Sequence, residues 1–188
     1  PVDGKIVMSN LCSEILQVQT PSLINGRQEY DVLGTDISCN LGSTNIVNLI
    51  ERPDFGQSVR TMVRALTFVT DESDIDVVPS IQNGNQLNHT IGLGAMGLHS
   101  FFAKHLMAYG SEESIDFTNI YFTLLNYWTL MESNALAKER QTTFHNFEKS
   151  AYADGSYFDK YTTGEFLPKT AKVKEIFKDI FVPSAEDW

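Results

Sequence analysis

One long amphipathic stretch, between residues 111 and 140, dominates the pattern of this sequence. Its apolar side chains recur every three or four residues, at Phe117, Ile120, Leu124, Trp128, Met131 and Ala135. This spacing places them on one face of an α-helix. Ser111 is a preferred N-cap residue, and the acidic Glu112 and Glu113 follow it in the first turn. Lys138 and Arg140 lie near the end, where positive charge stabilises a helix. A helix of this kind favours a layered α/β body.

Three further stretches after residue 54 carry the same periodicity. The first follows Asp54, with apolar positions at Val59, Met62, Val63, Leu66 and Val69. The second runs to about His105, with apolar positions at Ile91, Ala95, Leu98, Phe101 and Phe102. A shorter terminal helix follows Lys169 and Thr170, with apolar positions at Val173, Ile176 and Phe177. The chain is therefore predicted to be mostly helical after residue 54.

Residues 5 to 50 have a different character. Short apolar and β-branched runs, at Lys5–Val18 and Tyr30–Ile50, predict strands joined by loops. Turn-rich stretches at 21–28 and 79–88 mark breaks between elements. No internal repeat or long linker divides the sequence. We expect one unit or part of one, with residues 1–50 built from strands and loops and residues 51–188 mainly helical.

Acidic side chains outnumber basic ones by 24 to 14, which gives a net charge of −10. This surplus argues against nonspecific binding to nucleic acid or to an anionic membrane, because both depend on clustered Lys and Arg. No run approaches the roughly 18 continuous apolar residues of a membrane span, and the first residues lack the layout of a signal peptide. We expect a cytoplasmic protein. Its two cysteines, Cys12 and Cys39, are too few for a disulfide framework and lack the spacing of a zinc site.

The most informative short motif surrounds Cys12. In an extended backbone, residues i, i+2 and i+4 share one side, so Asn10, Cys12 and Glu14 lie in line about 7 Å apart. A thiol can react as thiolate, metal ligand or sulfur radical, Glu can act as a base, and Asn can hold a substrate hydroxyl. The alternative is a half-buried strand in which the cysteine is only a small hydrophobic residue.

Cys39 admits two interpretations as well. Ile37, Cys39 and Leu41 alternate onto one face of a predicted strand. By this spacing alone, a packed apolar row is the better interpretation. A redox role for Cys39 needs a further argument.

Several longer motifs of the sequence resemble one family. The residues Asn10-Leu-Cys-Ser-Glu-Ile15 and Asp36-Ile-Ser-Cys-Asn-Leu-Gly-Ser43 look like those of the large (α) subunit of aerobic ribonucleotide reductase, nearest to its class Ib form. The resemblance covers essentially the whole chain and continues through the stretches at 64–70, 92–97, 116–122 and 152–158. Two spaced motifs and collinear helices make it far more specific than either cysteine pattern alone.

This resemblance implies roles for four residues. Cys12 would form the transient thiyl radical that takes the 3′-hydrogen of the substrate ribose. Glu14 would remove the 3′-hydroxyl proton, and Asn10 would hydrogen-bond the reacting sugar. Cys39 would be one of two thiols that deliver the reducing electrons and close into a disulfide in each turnover. Asn10, Cys12 and Glu14 would thus contact the substrate, and Cys39 would belong to the redox-active disulfide. No metal ligand is assigned.

The resemblance also implies a fold. We expect part of the ten-stranded α/β barrel of ribonucleotide reductase, with the loop from Asn10 to Glu14 inside it and Cys39 on the strand that opens its second half. Residues 1–188 would be a partial catalytic barrel domain. The reaction needs a third cysteine, and the chain begins at Pro1 instead of Met. We therefore expect a fragment that is inactive by itself, with the second reducing cysteine elsewhere.

Partners and rivals follow from the same family. The implied activity reduces ribonucleoside diphosphates to deoxyribonucleotides for DNA synthesis. It would use a small β subunit that carries a dimetal centre and tyrosyl radical, an α-subunit homodimer, a thioredoxin-like or glutaredoxin-like reductant, and ATP or dNTP effectors bound elsewhere. One rival is a glycyl-radical relative, against which Glu14 argues. The other is a noncatalytic α/β scaffold with inert buried cysteines.

The pattern Gly92-Leu-Gly-Ala-Met-Gly97 matches the dinucleotide-binding fingerprint, but its context fails. The preceding residues 86–90 are too polar for the buried strand that the fingerprint requires. We expect the glycines to serve close helix packing.

Other polar and aromatic side chains are interpreted as structural. The four histidines show no metal spacing: His89, His99, His105 and His145. Core packing is expected for the aromatic residues that crowd one helix: Tyr121, Phe122, Tyr127 and Trp128. A solvated face and end charges are expected for Glu132, Lys138, Glu139 and Arg140.

Overall fold

The computed structural model describes residues 17–162 and 166–188, which form a mixture of helices and short strands. The strands are β1 (Leu23–Ile24), β2 (Tyr30–Val32), β3 (Asn40–Asn45) and β4 (Ile91–Met96). The α-helices are α1 (Ile46–Ile50), α2 (Phe55–Glu72), α3 (Pro79–Asn88), α4 (Leu98–Lys104), α5 (Glu112–Arg140) and α6 (Ala171–Ile176). Short 3-10 helices cover Phe147–Lys149, Ser156–Tyr161 and Ala185–Asp187. β1 pairs antiparallel with β2, and β3 pairs with β4.

The long helix α5 confirms the main prediction from periodicity. The Ser111 side chain accepts a hydrogen bond from the Ser114 backbone N–H, so it caps the helix as expected. The helix ends where Gln141 takes a left-handed conformation, with φ of 54°. Phe117, Ile120 and Leu124 are fully buried, whereas the stripe reaches the surface at Met131. The apolar face therefore packs along the first half of the helix.

Contacts within the chain define two compact units. In the described part of the chain, the first unit comprises residues 17–42, 64–92 and 142–154. The second unit comprises residues 43–63, 93–141, 155–162 and 166–188.

The second unit contains an apolar core. Its members come from α1, the first part of α2, α4, α5 and α6, and from Met107 and Phe177 beside these helices. The buried core residues are Ile46, Leu49, Phe55, Val59, Phe101, Phe102, Met107, Phe117, Ile120, Tyr121, Leu124, Leu125, Val173 and Phe177. Burial of these large side chains is the main stabilising contribution to this unit. The predicted terminal helix is confirmed as α6, which Thr170 caps by accepting a hydrogen bond from the Val173 N–H.

The buried side chains of the first unit are mostly polar among the residues described. They include Thr35, Ser38, Thr70, Ser80, Asn85 and Ser150. A buried polar group is tolerated only when it forms hydrogen bonds, so this unit depends on directional contacts.

Two stretches differ from the helix and turn predictions. Residues 79–88, predicted as a turn-rich break, form helix α3. Pro79 starts it, where proline is well tolerated because the first N–H groups of a helix have no partner within it. Residues 46–50, predicted as part of a strand region, form the short helix α1, which Asn45 caps.

The segment at 91–96 was also predicted wrongly, because it forms strand β4 and not the start of a helix. Ile91 and Ala95 are four residues apart, and this spacing shares one face in a strand as well as in a helix. Helix α4 begins only after Gly97, whose φ of 84° separates strand from helix. Gly92 and Gly94 therefore lie in a strand, which corrects the expectation of helix packing. A Cβ at Gly92 would lie 2.4 Å from the Leu41 side chain of β3.

Helix α2 confirms the prediction of a helix after Asp54, with one exception on its face. Val59, Val63 and Leu66 are buried, but Val69 is 48% exposed and the neighbouring Thr70 is buried instead.

None of the helices within 17–162 and 166–188 has both the length and the apolar character needed to cross a bilayer.

Candidate functional site

The four predicted site residues fall into two groups. Asn10, Cys12 and Glu14 lie outside the described residues, so their alignment remains a prediction. Cys39 lies inside them, one residue before β3. The candidate site is therefore built around the segment that carries Cys39.

Cys39 is an exposed, free cysteine. Burial alternates along the segment: Ser38 and Thr44 are buried, Asn40 and Gly42 are half-buried, and the residues between them are exposed. Leu41, two residues from Cys39, exposes 54% of its surface. The predicted alternation is thus present, and Cys39 shares its face with Leu41. Ile37, the third member of the predicted row, is half-buried, whereas Cys39 and Leu41 are exposed, so these three described residues do not form a buried apolar row.

A buried amide forms the polar contacts behind Cys39. The Asn85 side chain, on α3, is only 2% exposed. Its Oδ1 accepts a hydrogen bond from Ser38 Oγ at 2.8 Å and another from Asn40 Nδ2 at 3.0 Å. Its Nδ2 donates to the backbone carbonyl of Thr70 at 2.8 Å. Asn85 thus contacts both residues that flank Cys39.

Helix α3 approaches the same segment with its backbone. The Asp36 N–H donates to the Ser80 carbonyl at 2.9 Å, and Asn83 Nδ2 donates to the Gly34 carbonyl at 2.9 Å. A Cβ at Gly84 would lie 2.0 Å from the Asp36 carbonyl oxygen, closer than any side chain can come. Glycine is therefore required at position 84 for this packing.

Gln17 and Thr20, near the start of the described residues, also form hydrogen bonds with the segment that leads into Cys39. Thr20 and Thr35 form an isolated antiparallel bridge, and their hydroxyl oxygens lie 3.1 Å apart. Gln17 Nε2 donates to the Ser38 carbonyl at 2.5 Å. The backbone that leads into Cys39 is thus fixed by hydrogen bonds before and beside the cysteine. A thiol on such a segment is both accessible and restrained, as dithiol chemistry requires.

Sequence reasoning missed the residues that hold Cys39 in place. Asn85 and Gly84 lie in the stretch interpreted as a break, and their partners are distant in the chain. The signal that was available is the composition of α3, where three Asn residues and one Gly occur in a stretch with few apolar side chains.

In the second unit, a tyrosine contacts the other end of β3. The Tyr121 and Thr44 hydroxyl oxygens lie 3.0 Å apart, and Thr44 Oγ1 donates to the Gly94 carbonyl at 3.2 Å. Burial raises the pKa of Tyr121, and the hydrogen bond with Thr44 partly opposes this shift. Tyr121 and Tyr127 are buried as predicted, whereas Phe122 is 41% exposed.

Glu132 contradicts the expectation of a solvated face. Its side chain has no exposed surface, and its carboxylate accepts a hydrogen bond from Arg60 Nε on α2. A buried charge needs such a partner, which the local charge pattern of α5 did not reveal. Lys138, Glu139 and Arg140 are exposed, as expected.

The described residues hold no group of three or more His, Cys, Asp or Glu side chains that could bind a metal. His89 Nδ1 lies 3.4 Å from the Asp71 carboxylate, and His99 stacks on Tyr109. His105 stacks against Phe101 with ring centroids 4.2 Å apart. These contacts agree with the structural roles predicted for the histidines.

Comparison with known proteins identifies the family. All 188 residues match the model of the family described as "Ribonucleotide reductase, barrel domain". The chain belongs to this family. The resemblance seen in its motifs is thereby confirmed, and with it the prediction of part of an α/β barrel.

Curated relatives carry corresponding names. The chain is 41% identical over 185 residues to the ribonucleoside-diphosphate reductase subunit alpha of Bacillus subtilis, and 46% identical over 191 residues to that of Mycoplasma pneumoniae. Each match covers 98% of this chain and 26% of the relative. The chain thus spans about a quarter of the length of these relatives.

A solved structure is also similar. The class Id ribonucleotide reductase alpha subunit of Actinobacillus ureae matches with a TM-score of 0.49 and 18% identity, over 75% of this chain and 31% of that one.

Proposed function

We propose that this chain is the part of a ribonucleotide reductase α subunit that carries the radical cysteine and one reducing cysteine. The observation that carries the proposal is the family match over all 188 residues. Relatives with 41% and 46% identity, both named ribonucleoside-diphosphate reductase subunit alpha, support it. The substrate would be a ribonucleoside diphosphate and the product the corresponding 2′-deoxyribonucleoside diphosphate.

The proposed reaction balances with two thiols. The Cys12 thiyl radical removes the 3′-hydrogen of the ribose and later returns it, so the radical is regenerated. Glu14 accepts the 3′-hydroxyl proton, and Asn10 holds the sugar by hydrogen bonds. The 2′-hydroxyl leaves with one proton as water, and C2′ gains a hydrogen in its place. Two thiols together supply the two protons and two electrons of this exchange, while Glu14 returns the 3′-hydroxyl proton. These two thiols belong to Cys39 and a second cysteine, which end as a disulfide. Positioning of these groups on one sugar and exclusion of water would protect the radical.

The described geometry supports the role of Cys39 in this scheme. The thiol is exposed, so a second cysteine or an external dithiol can reach the sulfur. The neighbouring Ser38 and Asn40 side chains are held on the opposite face by Asn85. This arrangement disfavours the rival of a scaffold with buried, inert cysteines, at least for Cys39.

The proposal extends to partners outside this chain. A small β subunit with a dimetal centre would supply the radical, and a thioredoxin-like or glutaredoxin-like protein would reduce the disulfide. We further propose an α homodimer, regulation by ATP or dNTP effectors bound elsewhere in the subunit, and a cytoplasmic location. These proposals rest on family membership, since the chain spans only about a quarter of its relatives.

The decisive experiment replaces each cysteine in the complete α subunit, assayed with its β subunit. Cys12→Ser should abolish turnover while folding and nucleotide binding persist, because the O–H bond is too strong to yield the required radical. Cys39→Ser should instead abolish repeated turnover with the physiological reductant. Near-normal deoxynucleotide production by Cys12→Ser would refute the radical role, and sustained repeated turnover by Cys39→Ser would refute the reducing role.

A further inference from the structure

We propose that Asn85 is a positioning residue that sets the side from which the Cys39 thiol projects, in the segment that leads into β3. The proposal rests on the proposed function, because it concerns the orientation of a reducing cysteine. The described hydrogen bonds of the Asn85 side chain join it to Ser38, Asn40 and Thr70, and not to the sulfur of Cys39. Asn85 acts through the two residues on either side of Cys39.

The first step of the argument is the pair of hydrogen bonds to one oxygen. Asn85 Oδ1 accepts from both Ser38 Oγ and Asn40 Nδ2, at 2.8 and 3.0 Å. Asn40 Nδ2 also lies 3.3 Å from Ser38 Oγ, so the three groups form one cluster. Side chains alternate along an extended backbone. With residues 38 and 40 held inward, residue 39 must project outward, where it is observed.

The second step is the anchor of the amide itself. Asn85 Nδ2 donates to the Thr70 carbonyl at 2.8 Å, and a carbonyl can only accept. The amide therefore has one orientation, with its oxygen toward Ser38 and Asn40. Thr70 is fixed in turn, because its hydroxyl donates to the Leu66 carbonyl at 3.0 Å. Asn85 is almost completely buried, so each lost contact would leave a polar group without water.

The third step is that few other residue types satisfy this position. An aspartate would accept from both partners but could not donate to Thr70 in its charged form. A leucine would do neither, and a glutamine would place its amide one methylene farther from the helix. The close packing of Gly84 on Asp36 leaves α3 little freedom to adjust.

The consequence concerns the formation of the disulfide. Sulfur atoms join only when the two Cβ atoms lie about 3.5–4.5 Å apart with a restricted dihedral angle. A strand that slips by one residue turns its side chains to the opposite face. Loss of Asn85 should therefore slow oxidation of Cys39 during turnover without a comparable change in substrate affinity.

The test uses the complete α subunit with its β subunit, reduced beforehand and given substrate without an external reductant. The rate at which Cys39 enters a disulfide is followed by thiol labelling and mass spectrometry. Asn85→Ala should slow this rate about tenfold or more. The matched control is Asn83→Ala. It removes the hydrogen bond that the Asn83 side-chain amide on α3 donates to the Gly34 carbonyl, but no hydrogen bond to the neighbours of Cys39. It should oxidise Cys39 at close to the unsubstituted rate.

A milder variant keeps the test available if Asn85→Ala does not fold. Ser38→Ala removes one hydrogen bond to Asn85 and should slow Cys39 oxidation about fivefold, the effect of roughly 1 kcal/mol. Melting temperature and substrate affinity are measured for every variant. Unchanged oxidation in a folded Asn85→Ala or Ser38→Ala protein would overturn the proposal. Equal slowing by Asn83→Ala would overturn it as well, because it would show a general loss of structure.

Failure of the proposed function has a different signature. If substrate does not oxidise Cys39 in the unsubstituted enzyme, the reducing role itself is wrong. In that case the positioning role of Asn85 is tested by the rate at which iodoacetamide alkylates Cys39. A severalfold change in Asn85→Ala but not in Asn83→Ala would support it, and equal rates in all three proteins would overturn it.

Discussion

The carboxylate of Glu132, which has no exposed surface, accepts a hydrogen bond from the guanidinium of Arg60, 72 residues earlier in the chain. The pair joins helices α2 and α5 within the second unit. The Arg60 side chain is 38% exposed, so water reaches Arg60 but not Glu132. The contact is therefore asymmetric: removal of the arginine leaves a buried carboxylate, whereas removal of the glutamate leaves a guanidinium near water.

Arg60→Met should destabilise the protein by about 3 kcal/mol, because it removes the Arg60 guanidinium from a carboxylate that has no exposed surface. The measurement is the midpoint of urea or thermal unfolding. Replacement of both residues, in Arg60→Met with Glu132→Leu, should recover most of the loss, since an apolar pair avoids the cost of burying charge. A single variant as stable as the original protein would show that the pair contributes nothing.

Gly84→Ala should destabilise the first unit by about 2 kcal/mol. The added methyl group would overlap the Asp36 carbonyl oxygen, and a backbone atom cannot move away cheaply. Gly26→Ala is the matched control, because a Cβ there meets nothing within 4 Å. Chemical denaturation compares the two variants. Equal stability would mean that α3 does not pack on residue 36 as closely as described.

Tyr121→Phe should cost about 1 kcal/mol. The hydroxyl oxygens of Tyr121 and Thr44 lie 3.0 Å apart, and both side chains are buried. The phenylalanine would remove this hydrogen bond and leave the buried Thr44 hydroxyl with the Gly94 carbonyl as its described partner. Tyr109→Phe, at a position 63% exposed, is the control and should have almost no effect on the unfolding midpoint.

Stability should fall as the pH drops from about 7 to about 5.5, in part because of His105. Burial lowers the pKa of His105 below its ordinary value of about 6.5, and the nearby charges of Lys104 and Lys172 lower it further, against an opposing effect of Glu51. The unfolded chain therefore takes up a proton on this histidine at a higher pH than the folded chain. Acidification through 6.5 favours the unfolded state until the folded pKa is reached.

The measurement for His105 is unfolding free energy at several pH values. His105→Gln should flatten the decline, because the variant has no imidazole to protonate. The same replacement at the exposed His145 is the control for loss of a histidine as such. A steeper decline in His105→Gln than in the unsubstituted protein would contradict the sign of the effect.

Features decided by neighbours in sequence were predictable. Ser111 caps α5 through a residue three positions away, so its capping propensity and the charges near the helix ends were sufficient to predict it. The Ile91–Ala95 spacing was ambiguous, since both a strand and a helix place such residues on one face. Periodicity alone could not decide between them.

Features decided by distant partners were not predictable from one sequence. Glu132 looked solvated because the residue that pairs with it is on another helix. The hydrogen bond between Asn85 and Ser38 could not be predicted, because Ser38 lies 47 positions earlier. The redox role proposed for Cys39 rests on family resemblance, whereas the exposure of Cys39 and the contacts behind it are features of the fold. The roles of Asn10, Cys12 and Glu14 stay predictions.

The groups behind Cys39 also have a property in common that bears on how the enzyme would respond to acidity. Ser38, Asn40, Asn85 and Thr70 use only hydroxyl, amide and backbone groups, and none of these gains or loses a proton between about pH 4 and pH 10. The support of the strand is therefore electrically neutral throughout the physiological range. Acid or base would leave this support intact, so a titration of dithiol reactivity would report on the sulfur atoms and their surroundings on the outer face.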